Sequence, residues 1–318
     1  MPSHLKSRVR ARMAKTGERW EQALRAVRAA DADAAPAPRP YTRTPSRARS
    51  VADTAFSIAV VRAEEALLPE GERLFDDPFA AIFAAAGAHA AESTQRFLDL
   101  PFFRDGIRLR TRYIDDAIRE GVARGATQVV LLGAGFDARA HRLPELAEPG
   151  VRVFEVDTAE QLARKRKLLA AAGVRARRGL AYAPCDFHAD DLEGALAAAL
   201  SKAGFSRERP TVFVLEGVIG YVDDAAIDAT LRFMASGGAS GSRAVLTYGE
   251  GSFAPDTAEE WARRAGFGAV GELGGDALWR RYLPGEPHPN AWVTKVATAT
   301  PAPADLPPAR APAQASKG

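Results

Sequence analysis

The chain has 318 residues, of which 47% are hydrophobic and 26% are charged, and its formal net charge is +3. This composition is typical of a globular protein and excludes a wholly disordered or collagen-like chain. No run of about 18 apolar residues predicts a membrane-spanning helix, and the basic N-terminus lacks the apolar stretch of a secretory signal. The single cysteine, Cys185, excludes internal disulfides and cysteine-based zinc sites. We therefore expect a cytoplasmic protein without a metal.

The basic pI of about 9.1 originates in the N-terminal segment. Residues 1–50 hold 12 Lys and Arg against 4 Asp and Glu, whereas the remainder is mildly acidic. We predict a basic helical extension with a Pro- and Arg-rich linker over 1–45 and a globular domain over 46–298. The last segment, 299–318, is rich in Pro and Ala and is predicted to be disordered.

Within the domain, residues 51–125 are predicted to be helical, with 51–105 forming a lid. Beyond them, apolar strands alternate with helices, which indicates a mostly parallel sheet covered by helices on both faces, an α/β Rossmann-like fold. The first five predicted strands are QVVLLG, VRVFEVD, LAYAPCD, TVFVLEG and SRAVLTY, at 128–133, 151–157, 180–186, 211–217 and 242–248. Two more, at 266–273 and 291–298, flank a short helix at 276–283.

Ligands of such sheets bind at the carboxyl ends of the strands, so the residues that follow each strand are the candidates. After the first strand, Gly133 and Gly135 would let the backbone turn tightly and approach a ligand. The second strand ends in Asp157, 22 residues beyond Gly135, where a carboxylate would hold ribose hydroxyls. The alternative for Asp157 is a helix cap.

Residues at three further places in the chain would contact a ligand that has an adenine at one end and an amino acid at the other. Asp186 and Phe187 follow the third strand and suit an adenine amine and ring. Glu216 follows the fourth strand and needs a cation, either a ligand ammonium or a nearby arginine. Arg110 borders the apolar face of a helix over 104–123 and could bind a ligand carboxylate or lie at the surface. The combination predicts S-adenosylmethionine.

Two other functions stay open on these residues. The motif from Gly133 to Ala138 also satisfies a loose dinucleotide fingerprint, which predicts an NAD-dependent oxidoreductase. The basic residues 1–33 would let a carrier protein dock on nucleic acid or a membrane surface, although a solvated extension is the favoured interpretation. Binding of NAD, or salt-dependent binding lost on deletion of 1–45, would identify either alternative.

At this point the chain resembles the leucine carboxyl methyltransferase family, in its bacterial branch of S-adenosylmethionine-dependent O-methyltransferases of polyketide or other secondary metabolism. The resemblance covers about residues 50–298 and implies a class I methyltransferase fold of seven strands, the last antiparallel. The segments that carry it are RTRYIDDAI, QVVLLGAGFDARAHRL, VFEVDTAEQLARKRKLLA and VLEGVIGYV, at 110–118, 128–143, 153–170 and 214–222.

The resemblance also implies roles for individual residues. Tyr221 matches an aromatic residue that faces the reacting centre, and Gly220 replaces a bulkier residue beside the acceptor pocket. The cofactor-binding positions that it implies are Arg110, Gly133, Gly135, Asp157, Asp186, Phe187 and Glu216.

The acceptor is expected to be a carboxylate or hydroxyl of a small molecule. Transfer from a sulfonium requires alignment and exclusion of water, and a carboxylate acceptor needs no base. A hydroxyl acceptor would want one. His141 and His188, after strands one and three, are the local candidates, and each is better explained as a loop residue.

Overall fold

The computed structural model describes residues 10, 12–19, 22–23, 48–87 and 101–302. The chain divides into two compact units, Met1–Thr42 and Arg43–Gly318. In the first unit a helical turn ends at Thr16, and Gly17 follows with φ of +72°, a conformation that ends the helix there. Most of the rest of the predicted extension and linker lies outside the described residues.

The second unit contains one sheet of seven strands in the order β3-β2-β1-β4-β5-β7-β6. Strand β7 runs antiparallel to both of its neighbours, β5 and β6, and the other paired strands are parallel, as the resemblance implies. All residues of β1 and β4 are buried, which explains their uninterrupted apolar sequences. The strands span Gln128–Leu132, Arg152–Asp157, Leu180–Pro184, Thr211–Leu215, Arg243–Gly249, Phe267–Gly274 and Thr294–Pro301, numbered β1 to β7 in that order.

Helices cover both faces of the sheet. Alternate strand residues point into two separate hydrophobic clusters, with Val130 and Phe213 on one face and Val129 and Val214 on the other. The predicted fold class is therefore confirmed. The helices are Ala48–Ala66, Ala80–Ala86, Pro101–Ala123, Arg139–Arg142, Ala159–Ala171, Leu192–Lys202, Asp224–Ser236, Ala258–Ala265 and Gly275–Tyr282, numbered α1 to α9 in that order.

The first two helices, which fall in the predicted lid, pack on the turn after β1. Phe136 of that turn contacts Phe56 of α1 at a ring-centroid distance of 4.7 Å and Phe83 of α2 at 4.8 Å. A side chain at Gly87 would overlap the Phe56 ring, so only glycine allows this approach at the end of α2. Residues 88–100 of the predicted lid lie outside the described residues.

The carboxyl end of the domain differs from the sequence prediction. Strand β7 continues to Pro301, three residues into the segment predicted to be disordered, because its last residues pair with β6. The amide of Ala302 then donates to the Gly266 carbonyl at 3.0 Å. In the part of the chain that the structure describes, no helix is both long and apolar enough to span a membrane.

Candidate functional site

The turn after β1 has the backbone conformation that its glycines allow. Gly133 and Gly135 have φ of +67° and +43°, a region that other residues avoid. A side chain at Gly133 would come within 2.2 Å of Val218, whereas one at Gly135 would meet nothing closer than the Gly133 carbonyl at 3.9 Å. The space beside Gly135 is therefore open to a ligand.

Asp157 lies next to this turn, at the end of β2. Its carboxylate accepts hydrogen bonds of 2.7 Å from the amides of Gly135 and Thr158. Thr158, not Asp157, caps helix α5 by accepting from Gln161. Burial raises the pKa of Asp157, and the two amide donors partly offset that effect. The carboxylate thus joins the ends of β1 and β2, at the position predicted for ribose.

Glu216, after β4, is surrounded by arginines. Its Oε1 accepts from Arg62 at 2.8 Å and from Arg110 at 3.0 Å, and its Oε2 accepts from Arg139 at 2.7 Å. Only 8% of the Glu216 side chain is exposed. Burial alone would raise its pKa, but the three guanidiniums hold that pKa well below its usual value. Sequence analysis predicted either a ligand ammonium or a nearby arginine as the partner of Glu216, and the structure shows arginines in this role.

Arg139 is the centre of a larger buried ion-pair network. Its side chain is fully buried and also donates to Asp115 and Asp137. Burial opposes its charge, yet these carboxylates raise the pKa of Arg139 well above its usual value. Asp115 in turn accepts from Arg142 at 2.6 Å. The sequence analysis did not identify Arg62 and Arg139 as site residues. Each of them lies between small or apolar residues in the sequence, and that pattern could have indicated a buried arginine.

Arg110 is positioned by a hydrogen bond from only one nitrogen of its guanidinium. Its Nε donates to Glu216, while its terminal Nη atoms have no hydrogen-bond acceptor among the described residues. The Nη2 atom lies 3.6 Å from the position that a Cβ of Gly217 would take. Because a carboxylate binds guanidinium nitrogens in pairs, this arginine fits the predicted carboxylate contact. The interpretation of Arg110 as a surface residue is wrong, since only 15% of it is exposed.

The predicted adenine side is more open. Asp186 is exposed and accepts from the amide of His188 at 2.9 Å, a contact within its own loop. Phe187 is only 8% exposed and packs in a sheet-face cluster. Cys185 is a buried thiol, and burial raises its pKa to about 11, so it is not a ready nucleophile. The adenine contacts of Asp186 and Phe187 stay predictions.

The residues considered for proton transfer have different surroundings. Tyr221 is half-buried in a short 3₁₀ helix, Ile219–Tyr221, five residues beyond Glu216. His141 is half-buried beside Phe79, and burial together with the cations Lys165 and Arg177 lowers its pKa to about 4. His188 is exposed.

Comparison with known proteins identifies the family. Residues 55–235 match the leucine carboxyl methyltransferase family, a match that includes the glycine turn, Asp157, Glu216 and the arginines. The chain belongs to this family. The match begins in α1 and ends in α7, so it includes four of the seven strands.

Individual bacterial relatives agree. A protein of Frankia alni named as an S-adenosyl-L-methionine-dependent methyltransferase is 37% identical over 206 residues, covering 62% of this chain and 68% of the relative. One of Mycobacteroides abscessus with the same name is 40% identical over 205 residues, covering 62% and 63%. One of Streptomyces coelicolor is 37% identical over 207 residues, covering 62% and 68%. The matched segments thus span about two thirds of these relatives.

Proposed function

We propose that this member of the methyltransferase family transfers a methyl group from S-adenosylmethionine to a carboxylate or hydroxyl oxygen of a small molecule, in the cytoplasm. The observation that carries the proposal is the pair of anchored carboxylates at one edge of the sheet. Asp157 is fixed to Gly135 at the end of β2, and Glu216 is fixed to Arg110 at the end of β4. The relatives named above support the choice of methyl donor. A polyketide or other secondary metabolite is the proposed acceptor.

The residues present fit the donor. The space beside Gly135 leaves room for a ligand next to Asp157, which would accept from ribose hydroxyls. The terminal nitrogens of Arg110 would bind the methionine carboxylate, and Glu216 would accept from its ammonium. Gly133 would line the methionine, and Asp186 with Phe187 would contact the adenine. The donor supplies an electrophilic methyl group on a sulfonium.

The protein's own contribution is binding, orientation and exclusion of water. The arginines keep Glu216 ionised, and its Oε2, which accepts only from Arg139, retains acceptor capacity for an ammonium at neutral pH. The lid helices α1 and α2, packed on Phe136, cover the turn and would limit access of water. Tyr221, beyond Glu216, is the residue proposed to face the acceptor. These groups would align the acceptor oxygen with the methyl carbon.

Calorimetric titration with S-adenosylhomocysteine tests this function. We expect micromolar binding by the wild-type protein, no heat with NAD, and at least a tenfold weaker affinity in Asp157→Ala, a loss of about 1.4 kcal/mol. Glu160→Ala is the matched control, because Glu160 is an exposed acid in the first turn of α5. Its affinity should equal that of the wild type.

The other outcomes are equally informative. Binding of NAD without S-adenosylhomocysteine would replace the proposal with the dinucleotide alternative. Absence of both, in a protein shown to be folded by circular dichroism, would refute an enzyme of either type and favour the carrier hypothesis.

A further inference from the structure

Because of the direction of β7, the residues that precede this strand, and not those that follow it, lie near the site. Because β7 is antiparallel, the residues before it lie at the same edge as the residues after β4 and β5. Thr294, which begins β7, pairs with Gly249, which ends β5, and Glu250 donates its amide to the Val293 carbonyl at 2.8 Å. The segment 288–293 therefore lies at the edge that holds Glu216.

This segment also contacts the first turns of α3. The rings of Phe102 and His288 are 5.4 Å apart. A Cβ at Gly106 would lie only 2.8 Å from the hydroxyl of Thr294, so α3 and the start of β7 are in close contact. Arg110, the proposed carboxylate ligand, is four residues further along the same helix, about one turn. The helix thus connects the proposed donor site with segment 288–293.

Segment 288–293 and Glu216 are separated by two strand positions of the sheet. Gly217 donates its amide to Thr247 on β5, and Thr247 pairs with Val296 on β7. Two strand spacings separate β4 from β7, and Trp292 is two strand residues and two 3₁₀ residues beyond Val296. The two strand spacings from β4 to β7 amount to about 10 Å across the sheet, so segment 288–293 and Glu216 belong to neighbouring parts of the same edge.

Trp292 provides apolar surface at this place. Its side chain is 38% exposed, and only it and Leu67 are large exposed apolar residues in the described ranges. Indole rings that are partly open to solvent contribute large, rigid contact area to ligand sites. Phe102 of α3 is half-buried and places a second ring against the same segment, at His288.

His288 provides one directed polar group. Its Nδ1 accepts from the amide of Asn290 at 3.1 Å, so this nitrogen carries no proton. The proton of the neutral ring is therefore on Nε2, which has no acceptor among the described residues. In this tautomer His288 donates a hydrogen bond and does not act as a base through Nε2.

We infer that Trp292, Phe102 and His288 form the wall of the acceptor site, and that this wall takes a molecule with an apolar body and a hydrogen-bond-accepting oxygen. The inference rests on the proposed function. It assigns the aromatic rings to the body of the acceptor and the Nε2–H of His288 to its oxygen. His288 is thus a specificity-determining residue, separate from the groups that bind the donor.

The test uses two probes with the same apolar body, 4-phenylbutanoate and 4-phenylbutylamine, in the presence of saturating S-adenosylhomocysteine. Saturation-transfer NMR and calorimetry measure their binding to the wild type and to Trp292→Ala, His288→Ala and His288→Gln. The control is Leu67→Ala, which removes the other exposed apolar residue. We expect the carboxylate to bind at least tenfold more tightly than the amine in the wild type.

The variants separate the two roles. Trp292→Ala should weaken both probes about tenfold, His288→Ala should abolish the preference for the carboxylate, and His288→Gln, which keeps an N–H donor, should restore part of it. Affinity for S-adenosylhomocysteine should stay unchanged in all four variants. Absence of carboxylate binding, or losses no larger than that of Leu67→Ala, would overturn the inference. Failure of S-adenosylhomocysteine to bind the wild type would instead refute the proposed function.

Discussion

The two ends of the candidate site are built differently. Around Glu216, four arginines and three carboxylates pair with one another, and no more than 15% of any of these side chains is exposed. At Asp186, one exposed carboxylate bonds to its own loop. The first end depends on side chains from distant parts of the chain, and the second on local backbone.

The difference follows from the cost of burying charge. An isolated carboxylate under the lid would take up a proton, so a Glu216 that stays ionised requires guanidinium partners supplied by the protein. An exposed carboxylate such as Asp186 is solvated by water and needs none. Substitutions at the two ends should therefore differ most in their effect on the free energy of unfolding.

The largest effect is expected from Arg139→Met. This change leaves Asp115, Asp137 and Glu216 without their shared partner, and it should lower the free energy of unfolding by about 3–5 kcal/mol. Urea denaturation measures it. The control, Arg232→Met, breaks an exposed ion pair with Asp228 and should cost less than about 1 kcal/mol.

The same variant should change the response to acid. Glu216 has a lowered pKa in the folded protein, so its ion pairs stabilise the fold above the unfolded pKa of about 4.3 and lose that contribution as the pH falls through the folded value. The difference between wild type and Arg139→Met should therefore shrink below about pH 4. A constant difference down to pH 3 would contradict the assigned network.

A smaller contrast is expected between the two glycines of the β1 turn. Gly133→Ala combines a left-handed φ with overlap of Val218 and should cost about 2–3 kcal/mol. Gly135→Ala incurs backbone strain of about 1 kcal/mol but would fill the space beside Asp157. Urea denaturation should show that Gly133→Ala loses more free energy of unfolding. Titration with S-adenosylhomocysteine should show that Gly135→Ala loses more affinity than its small loss of stability would explain.

Protonation of His141 should change the free energy of unfolding by about 1 kcal/mol, a value reduced for solvent screening because the ring is half-buried. Its folded pKa of about 4 lies below the unfolded value, so the unfolded chain binds the proton first and stability falls as the pH drops from about 6.5 to 4. His141→Gln should flatten that slope. The raised pKa of Asp157 acts in the opposite direction, so the comparison is made between variant and wild type at each pH.

The smallest effect on stability is expected from Asp186→Asn. The side chain is exposed and its oxygen can still accept from the amide of His188, so unfolding should change by less than about 0.5 kcal/mol. Affinity for S-adenosylhomocysteine should nevertheless fall several-fold if Asp186 binds the adenine amine. An unchanged affinity would remove Asp186 from the site.

Most of the fold was predictable from the sequence because periodic apolar strands and helices are local signals. The glycine turn and the acids after β2 and β4 were predictable for the same reason, since a parallel sheet fixes where strand ends meet. The extra residues of β7 were missed because Ala299–Pro301 look like a tail until they pair with β6.

The arginine partners could not be predicted in the same way. Arg62 and Glu216 are 154 residues apart, and nothing in the spacing of α1 specifies which buried acid its arginine meets. His288 and Trp292 were missed for a different reason, since an antiparallel strand brings the residues before it, and not those after it, to the carboxyl-end edge. Long-range pairing and strand direction are properties of the folded chain.

The contact of Phe136 with Phe56 and Phe83 has a consequence for protein engineering. Helices α1 and α2 rest on a residue of the β1 turn, which lies 50 residues beyond the end of α2 in the chain. Transplanting the two helices from a relative to alter acceptor choice would place new side chains against Phe136. A working chimera should therefore take residue 136 from the same relative as the two helices, so that the residue and the helices are exchanged together.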